Sequence, residues 1–211
     1  MSVLTFDQLN KLGKKRRSDP IETFTDGMRI SKDRKRKRIE TAEKYRDAVL
    51  AYMHFVDEYA ESYADYIDKS AKQYLHDEIL EVVGDILVVN QVMADYADRI
   101  AQDIHDSTMR HKNKDPYYLS EDRATFIGED ESCSLWNYEE LQDAEEVGSQ
   151  YKTWRTVGDN RVRDTHVDLE GETIPLDEPF DVGGYEMMVP RDPEVDAPEE
   201  TVGCRCWLTF S

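Results

Sequence analysis

The chain has 211 residues and a net charge of −19, so its surface is expected to be strongly acidic. This length suffices for one or two domains with a sizeable buried core. The sequence has no apolar run of about 18 residues, which argues against a membrane-spanning helix and a membrane partner. Residues 1–14 lack the long apolar stretch of a secretory signal. Three cysteines are too few for a disulfide framework.

The charge is unevenly distributed along the chain. Residues 1–44 carry 13 Lys and Arg against 7 Asp and Glu, a local balance of +6, which leaves −25 for the remainder. We therefore expect a basic, partly flexible arm over residues 1–44, with Phe6, Leu9 and Leu12 as a short helical anchor. The arm contains a dense basic run: Lys32, Arg34, Lys35, Arg36, Lys37 and Arg38. This run fits the solvated start of a long helix, and it also fits a sequence-independent contact with phosphates.

A seam of apolar and tyrosine residues predicts long helices over residues 45–115. Its members step by four and three: Tyr45, Val49, Tyr52, Val56, Tyr59, Tyr63 and Tyr66. A second run follows Gly84: Ile86, Val89, Met93, Tyr96, Ile100 and Ile104. We expect an antiparallel, coiled-coil-like helical hairpin; one helix kinked at Gly84 is the alternative. His105 is expected to be structural.

The last part of the chain predicts a different kind of structure. Residues 116–134 are polar and acidic, contain Gly128 and show no clear period, so they predict a linker or a surface loop. Residues 135–147 predict a helix with Ser134 as N-cap and Gly148 after its end. Residues 173–176, 187–190 and 206–210 are short strand candidates, and Gly183–Gly184 predicts a hairpin or a tight loop. The predicted fold class is thus α+β: a long helical hairpin followed by a small, irregular β-rich module at residues 135–211.

Two kinds of chemistry fit this module. His166, Cys204 and Cys206 could hold a structural zinc, with Asp164, Asp168, Cys133 or water as the fourth ligand. Alternatively, His166 could act as a general base with Asp164 and Asp168 in a hydrolase or toxin-like enzyme. The alternative to the zinc site is that the same three residues pack and form hydrogen bonds without a metal ion. The alternative to the general base is a structural ion-pair network around Arg161, Arg163 and Arg205.

One ordered set of residues resembles the Mu F-like minor head protein domain of tailed viruses, the phage head morphogenesis family. The set comprises Lys152, Trp154, Asp159, Arg163, His166, Gly171, Phe180, Pro190, Cys204, Arg205 and Cys206. The resemblance covers about residues 135–207. An Arg-Thr-Glu element common in the family is replaced here by Leu-Trp-Asn-Tyr-Glu at residues 135–139.

The resemblance implies a non-enzymatic, minor structural protein of the virion head. Such proteins associate with the portal inside the procapsid, assist head assembly, and in some cases stay near the packaged DNA and influence its exit. The implied partners are the portal protein, other head proteins and packaged DNA, the last through the basic arm. The implied location is the head interior near the portal, and the host cytoplasm during assembly. A nonspecific DNA-binding protein remains a further alternative.

Overall fold

Helices dominate the first part of the chain. The structure is a computed structural model that describes residues 21–59 and 64–211. Its longer helices are α1 (Lys32–Tyr59), α2 (Ala64–Gly84), α3 (Gln91–His111) and α4 (Glu121–Glu146), and short 3-10 turns cover Ile21–Thr23 and Pro116–Leu119. A small β-containing module follows α4, which confirms the predicted α+β class. None of the described helices is both long and apolar enough to cross a membrane.

The tyrosine seam forms the helical core, as its spacing predicts. Tyr45, Val49, Tyr52 and Val56 are completely buried along one side of α1. The remaining members of the predicted seam, Tyr59, Tyr63 and Tyr66, fall outside the side chains that the structure describes. Tyr52 also reaches α3, where its hydroxyl lies 2.9 Å from Nδ1 of the buried His105. The structural role predicted for His105 therefore fits its position.

The helical hairpin differs in detail from its prediction. The predicted break at Gly84 is confirmed, since α2 ends there and packs antiparallel to α3. The described part of residues 45–115 contains parts of three helices rather than two, since α1 covers residues up to Tyr59 and packs against α2, which begins at Ala64. The alternative of one kinked helix is wrong. Ile86 and Val89 precede α3; Ile86 packs against the helical core, whereas Val89 is 47% exposed and does not belong to the buried seam.

The described part of the predicted basic arm is packed against the rest of the chain. Ile21, Phe24 and Met28 are buried in a cluster with Cys133 and Trp207. Helix α1 then begins at Lys32, inside the predicted arm, because long charged side chains are good helix formers. The Ser31 hydroxyl caps it by accepting from the Arg34 amide at 3.1 Å. The anchor predicted at Phe6, Leu9 and Leu12 lies outside the described residues.

The linker predicted over residues 116–134 is wrong, because most of it belongs to α4. Ser120 caps this helix by accepting from the Arg123 amide, and the predicted cap Ser134 lies inside it. Gly128 had suggested a loop, but it is where α4 crosses α1. A Cβ at this position would come within 2.3 Å of the Ala42 carbonyl oxygen, so only glycine allows this approach. The helix ends as predicted, with Gly148 just beyond it at φ +78°.

The C-terminal module contains two small antiparallel sheets. Strand β1 (Tyr151–Arg155) lies between β2 (Thr173–Pro175) and β5 (Trp207–Phe210), with Trp154 opposite Leu208. Strands β3 (Phe180–Val182) and β4 (Tyr185–Met187) form a hairpin around Gly183–Gly184, as predicted. The two shortest helices are α5 (Asp164–Val167) and α6 (Pro198–Thr201).

The strand predictions are only partly right. The candidates at residues 173–176 and 206–210 are confirmed to within a residue at each end. The candidate at residues 187–190 is wrong, since β4 ends at Met187. Strands β1 and β3 were not predicted.

Buried polar contacts fix the module to the helices. Asn137 of α4 donates to the carbonyl oxygens of Pro190 (2.9 Å) and Cys206 (3.1 Å), and it accepts from Arg38 of α1 (3.0 Å). The Glu140 carboxylate accepts from both Arg34 and Arg38. Helix α4 is therefore shared between the helical core and the module, and it sets the position of the chain just before β5.

Candidate functional site

The chemically versatile residues of the module meet around His166. Helix α5 carries this residue into the interior, where its side chain is 2% exposed. Its Nδ1 lies 3.4 Å from the Cys204 sulfur and 3.5 Å from the Cys206 sulfur. On the opposite side of the ring, Nε2 lies 3.0 Å from a carboxylate oxygen of Glu200. The structure thus brings together all three residues of the predicted metal set and adds a carboxylate behind the imidazole.

The two cysteines reach this position from the loop that precedes β5. Gly203 has φ +72°, a left-handed conformation that turns the chain at the start of the loop. Both thiols are buried, and the Cys206 amide donates to the Cys204 sulfur at 3.4 Å. The donor atoms of His166, Cys204 and Cys206 all lie within 4.8 Å of one another. These are the dimensions of a site that could enclose one metal ion.

The environment makes the two thiols unequal. Burial by itself raises the pKa of Cys204, but hydrogen bonds from Cys206 and His166 outweigh burial and hold that pKa well below its ordinary value. Donating the hydrogen bond to Cys204 raises the pKa of Cys206 well above its ordinary value, and burial adds to this effect. Burial opposes charge on His166, but the contact with Cys204 raises the pKa of the imidazole. Of the two thiols, Cys204 is therefore the more easily deprotonated.

The aspartates proposed beside His166 are not part of this cluster. Asp164 and Asp168 are exposed, and Cys133 lies in α4 within another packing cluster. Among the described residues, the group of closely spaced metal-ligand donors comprises His166, Cys204 and Cys206. The carboxylate that meets His166 is instead Glu200, in α6 just before the loop that leads to the cysteines. The predicted pairing of His166 with Asp164 and Asp168 is therefore wrong, because the carboxylate next to the imidazole belongs to Glu200.

A cavity of about 10 Å³ adjoins the cluster and is lined by Val157, Arg161, Val162, Arg163, His166, Gly203, Cys204, Arg205 and Cys206. Such a volume is at the lower limit for a single water molecule. A substrate would need far more room than this, since small-molecule pockets are typically about 300–1,000 Å³.

The other residues of the ordered set support the cluster. Trp154 is completely buried and packs edge-on against His166 and Phe180, with ring centroids 5.5 and 5.2 Å away. Lys152 donates to the Met188 carbonyl at 2.9 Å, and its ammonium lies 5.5 Å from the Phe180 ring centroid. Burial lowers the pKa of Lys152 to about 8. The Gly171 amide donates to the Trp154 carbonyl at 2.9 Å, and Gly171 has a φ of +83°, which favours glycine.

The arginine side chains of the module connect its loops through ion pairs and hydrogen bonds, and the ion pairs agree with the predicted network. Asp159 accepts from the Arg205 side chain at 2.5 Å and from the Arg161 amide at 3.0 Å. Arg163 departs from the predicted network, because it donates to the Val202 carbonyl, also at 2.5 Å. These contacts tie the segment before α5 to the loop that carries both cysteines.

The basic run at the start of α1 is largely neutralised within the chain. Arg38 is completely buried against Glu140 and Asn137, so its predicted contact with an anionic partner is wrong. Arg34 also binds Glu140, Arg36 binds Asp33 and Glu40, and Lys37 lies over the Trp136 ring at 4.9 Å. Lys32 is exposed and Lys35 is half-buried.

Sequence reasoning missed Glu200, Asn137 and Glu140. Glu200 is one of many acidic residues in a Pro-rich loop, and no spacing links it to His166, 34 positions earlier. Asn137 lies in the stretch that replaces the Arg-Thr-Glu element of the resembling family. That departure was visible in the sequence, but the partners of Asn137 were not.

The site is thus a buried His-Cys-Cys cluster in a small β-containing module that follows long helices. Residues 90–209 match the family described as Phage Mu protein F like protein, and the chain belongs to that family. The match begins well before residue 135, so it includes α3 and α4 as well as the module. The family implies a virion protein of tailed viruses, present in the host cytoplasm while heads are assembled.

One curated relative adds a short match. The uncharacterized protein YqbB of Bacillus subtilis (strain 168) is 40% identical over 62 residues, which cover 28% of this chain. Those residues span about a fifth of YqbB itself. No solved structure matches the chain.

Proposed function

We propose that this protein is a minor structural component of the head that binds the portal and assists head assembly. The match to the Mu F-like family over residues 90–209 carries the proposal. Because the matched region includes α3 and α4 together with the module, the proposal concerns the whole helical and β-containing unit. The buried contacts of Asn137 and Glu140 support a rigid unit of this kind.

Mass spectrometry and co-expression test the proposal together. The chain should be present in purified procapsids and virions, at far lower copy number than the major capsid protein. Co-expressed with the portal protein of the same virus, the chain should co-elute with the portal oligomer. Absence of the chain from both procapsids and virions would contradict a role in the head. Presence in both, together with failure to bind the portal, would place its contact on another head protein.

A role in genome packaging or ejection is a finer part of the same proposal. Particles assembled without this chain should package or eject DNA less efficiently than wild-type particles. A defect in head number would indicate assembly instead. Comparing the DNA content of purified heads with their infectivity separates the two steps, because assembly defects lower the yield of heads while ejection defects lower infectivity per filled head.

A contact with packaged DNA would use the exposed basic residues near the start of α1. The supporting observation is limited to Lys32 and Arg36, the two members of the run that are exposed. Arg36 forms ion pairs with Asp33 and Glu40, which partly neutralise its charge. The strongly acidic remainder of the chain repels DNA. If the contact exists, Lys32→Glu should weaken binding and reduce its salt dependence. Equal binding by wild type and variant over a range of salt concentrations would exclude it.

A further inference from the structure

We infer that His166, Cys204 and Cys206 form a site for one Zn²⁺ ion that fastens the C-terminal loop to α5. The inference rests on donor geometry, on the group that orients the imidazole, and on what the site joins. It is independent of the proposed role in the phage head, which concerns partners rather than metal content.

The spacing of the donors matches tetrahedral zinc. With Zn–S of about 2.3 Å and Zn–N of about 2.0–2.1 Å, ligands at the tetrahedral angle lie about 3.6 Å apart. The observed separations from the Nδ1 atom of His166 are 3.4 Å to one sulfur and 3.5 Å to the other. One imidazole nitrogen is therefore almost equidistant from both thiols, as a shared central ion requires.

Glu200 provides the outer partner that zinc-binding histidines usually have. Its carboxylate lies 3.0 Å from Nε2 and also accepts from the Thr165 hydroxyl at 2.8 Å. A proton held on Nε2 by this carboxylate leaves the lone pair of Nδ1 free to face the two sulfurs. The β3–β4 turn confines Glu200, since a Cβ on Gly183 would come within 2.5 Å of its carboxylate.

The charges also suit the ion. Two thiolates and one neutral imidazole compensate the charge of Zn²⁺, and the thiols release their protons to solvent on binding. The three ligands line a cavity of about 10 Å³, which has room for one water at most, and that water would complete the coordination of the ion. With His166 only 2% exposed and no room for a substrate, the ion would have a structural role.

The position of the site explains what the metal would stabilise. His166 belongs to α5, while both cysteines belong to the loop entering β5, 38 or more residues later. The module is small and irregular, and such modules commonly depend on a metal or disulfide for stability. A zinc ion here would cross-link α5 to the loop next to the contact between Asn137 and the Cys206 carbonyl.

Metal analysis of the full chain tests the inference. Protein purified under reducing conditions without chelator should contain about one zinc per chain by elemental mass spectrometry. X-ray absorption should show two sulfur and two nitrogen or oxygen neighbours at the distances given above. Replacement by Co²⁺ should produce thiolate charge-transfer absorption and the visible bands of a tetrahedral site.

Matched variants locate the ion. Cys204→Ser and Cys206→Ser should each lose zinc, whereas Cys133→Ser, which alters the other buried cysteine, should retain it. Glu200→Gln should retain zinc but weaken its affinity about 10–100-fold, measured by competition with a chromogenic chelator. Because the wild-type spectra identify the ligands directly, the test does not depend on every variant folding.

Three results would overturn the inference. Folded, reduced protein that takes up neither Zn²⁺ nor Co²⁺ would show that the cluster packs without metal. A native disulfide between Cys204 and Cys206, detected by thiol counting and peptide mapping, would show that the thiols are used differently. Zinc that is retained in both cysteine variants would likewise assign the ion to other residues.

Discussion

Asn137 provides the sharpest test of how the module is held to the helices. Its side chain is 1% exposed and makes three hydrogen bonds, two as donor to main-chain carbonyls and one as acceptor from a guanidinium. In Asn137→Ala all three bonds are lost, and the carbonyl oxygens of Pro190 and Cys206 lose a buried donor. Arg38 keeps its contacts with Glu140 at 2.6 and 3.0 Å, so its charge stays paired.

The expected cost follows from the number and kind of these bonds. Each bond to a neutral carbonyl contributes about 1 kcal/mol, and a bond to a charged group about 1.5–3 kcal/mol. The free energy of unfolding should therefore fall by about 3–5 kcal/mol in Asn137→Ala. For a chain of this length, the melting temperature should fall by roughly 10 °C. Asn137→Asp should be at least as destabilising, because its carboxylate would face two carbonyl oxygens.

Denaturant unfolding followed by two probes provides the measurement. Circular dichroism reports mainly on the helices, and tryptophan fluorescence reports on Trp154 and Trp207 of the module as well as Trp136 of α4. In the wild type the two transitions should coincide, because α4 belongs to both parts. Asn113→Ala, which changes an exposed asparagine, is the matched control and should lie within about 0.5 kcal/mol of wild type.

A change of less than about 0.5 kcal/mol in Asn137→Ala would refute this reasoning. It would mean that water replaces the side chain at no cost, so that the buried bridge contributes little. Separate transitions for the two probes in the wild type would instead show that the module unfolds independently of the helices. In that case the bridge would have no role in coupling the two parts.

Three further predictions follow from buried groups on α1 and α4. Burial and the neighbouring carboxylate of Asp143 raise the pKa of Glu139 to about 7, so the folded state loses stability as pH rises from about 4.5 to 7. Glu139→Gln should therefore raise the melting temperature at pH 8 and leave it nearly unchanged at pH 4. Equal shifts at both pH values would contradict this. Gly128→Ala should destabilise the fold by about 1–3 kcal/mol or more in denaturant unfolding, because its methyl group meets the α1 backbone. Gly84→Ala should be close to neutral, because a Cβ there would make only an ordinary contact with the Val89 side chain, at 3.6 Å. Arg38→Met should cost about 3–5 kcal/mol by leaving the Glu140 carboxylate less well paired, and a cost as small as that of the exposed Lys32→Ala would disprove the buried ion pair.

The sequence by itself determined the features that depend on local pattern. The spacing of Tyr45, Val49, Tyr52 and Val56 identified a buried helix face, because only a helix brings positions three and four apart onto one side. The glycines at 183 and 184 identified a hairpin, because they adopt left-handed conformations that other residues avoid. The order of short motifs identified the family. His166, Cys204 and Cys206 were identified as possible metal ligands, because imidazole and thiolate groups are ligands that zinc accepts.

Tertiary structure decided what each of these groups meets. In the sequence Gly128 suggests a loop, but in the structure it lies where α4 packs against α1. Arg38 belongs to a charged run that suggests exposure, but it is buried against Glu140, about 100 residues later in the chain. The partner of His166 proved to be Glu200 rather than the nearby aspartates, because the short α5 turns the imidazole inward and leaves Asp164 and Asp168 in solvent. Contacts between distant segments depend on how the elements pack, and a one-dimensional pattern carries no record of that packing.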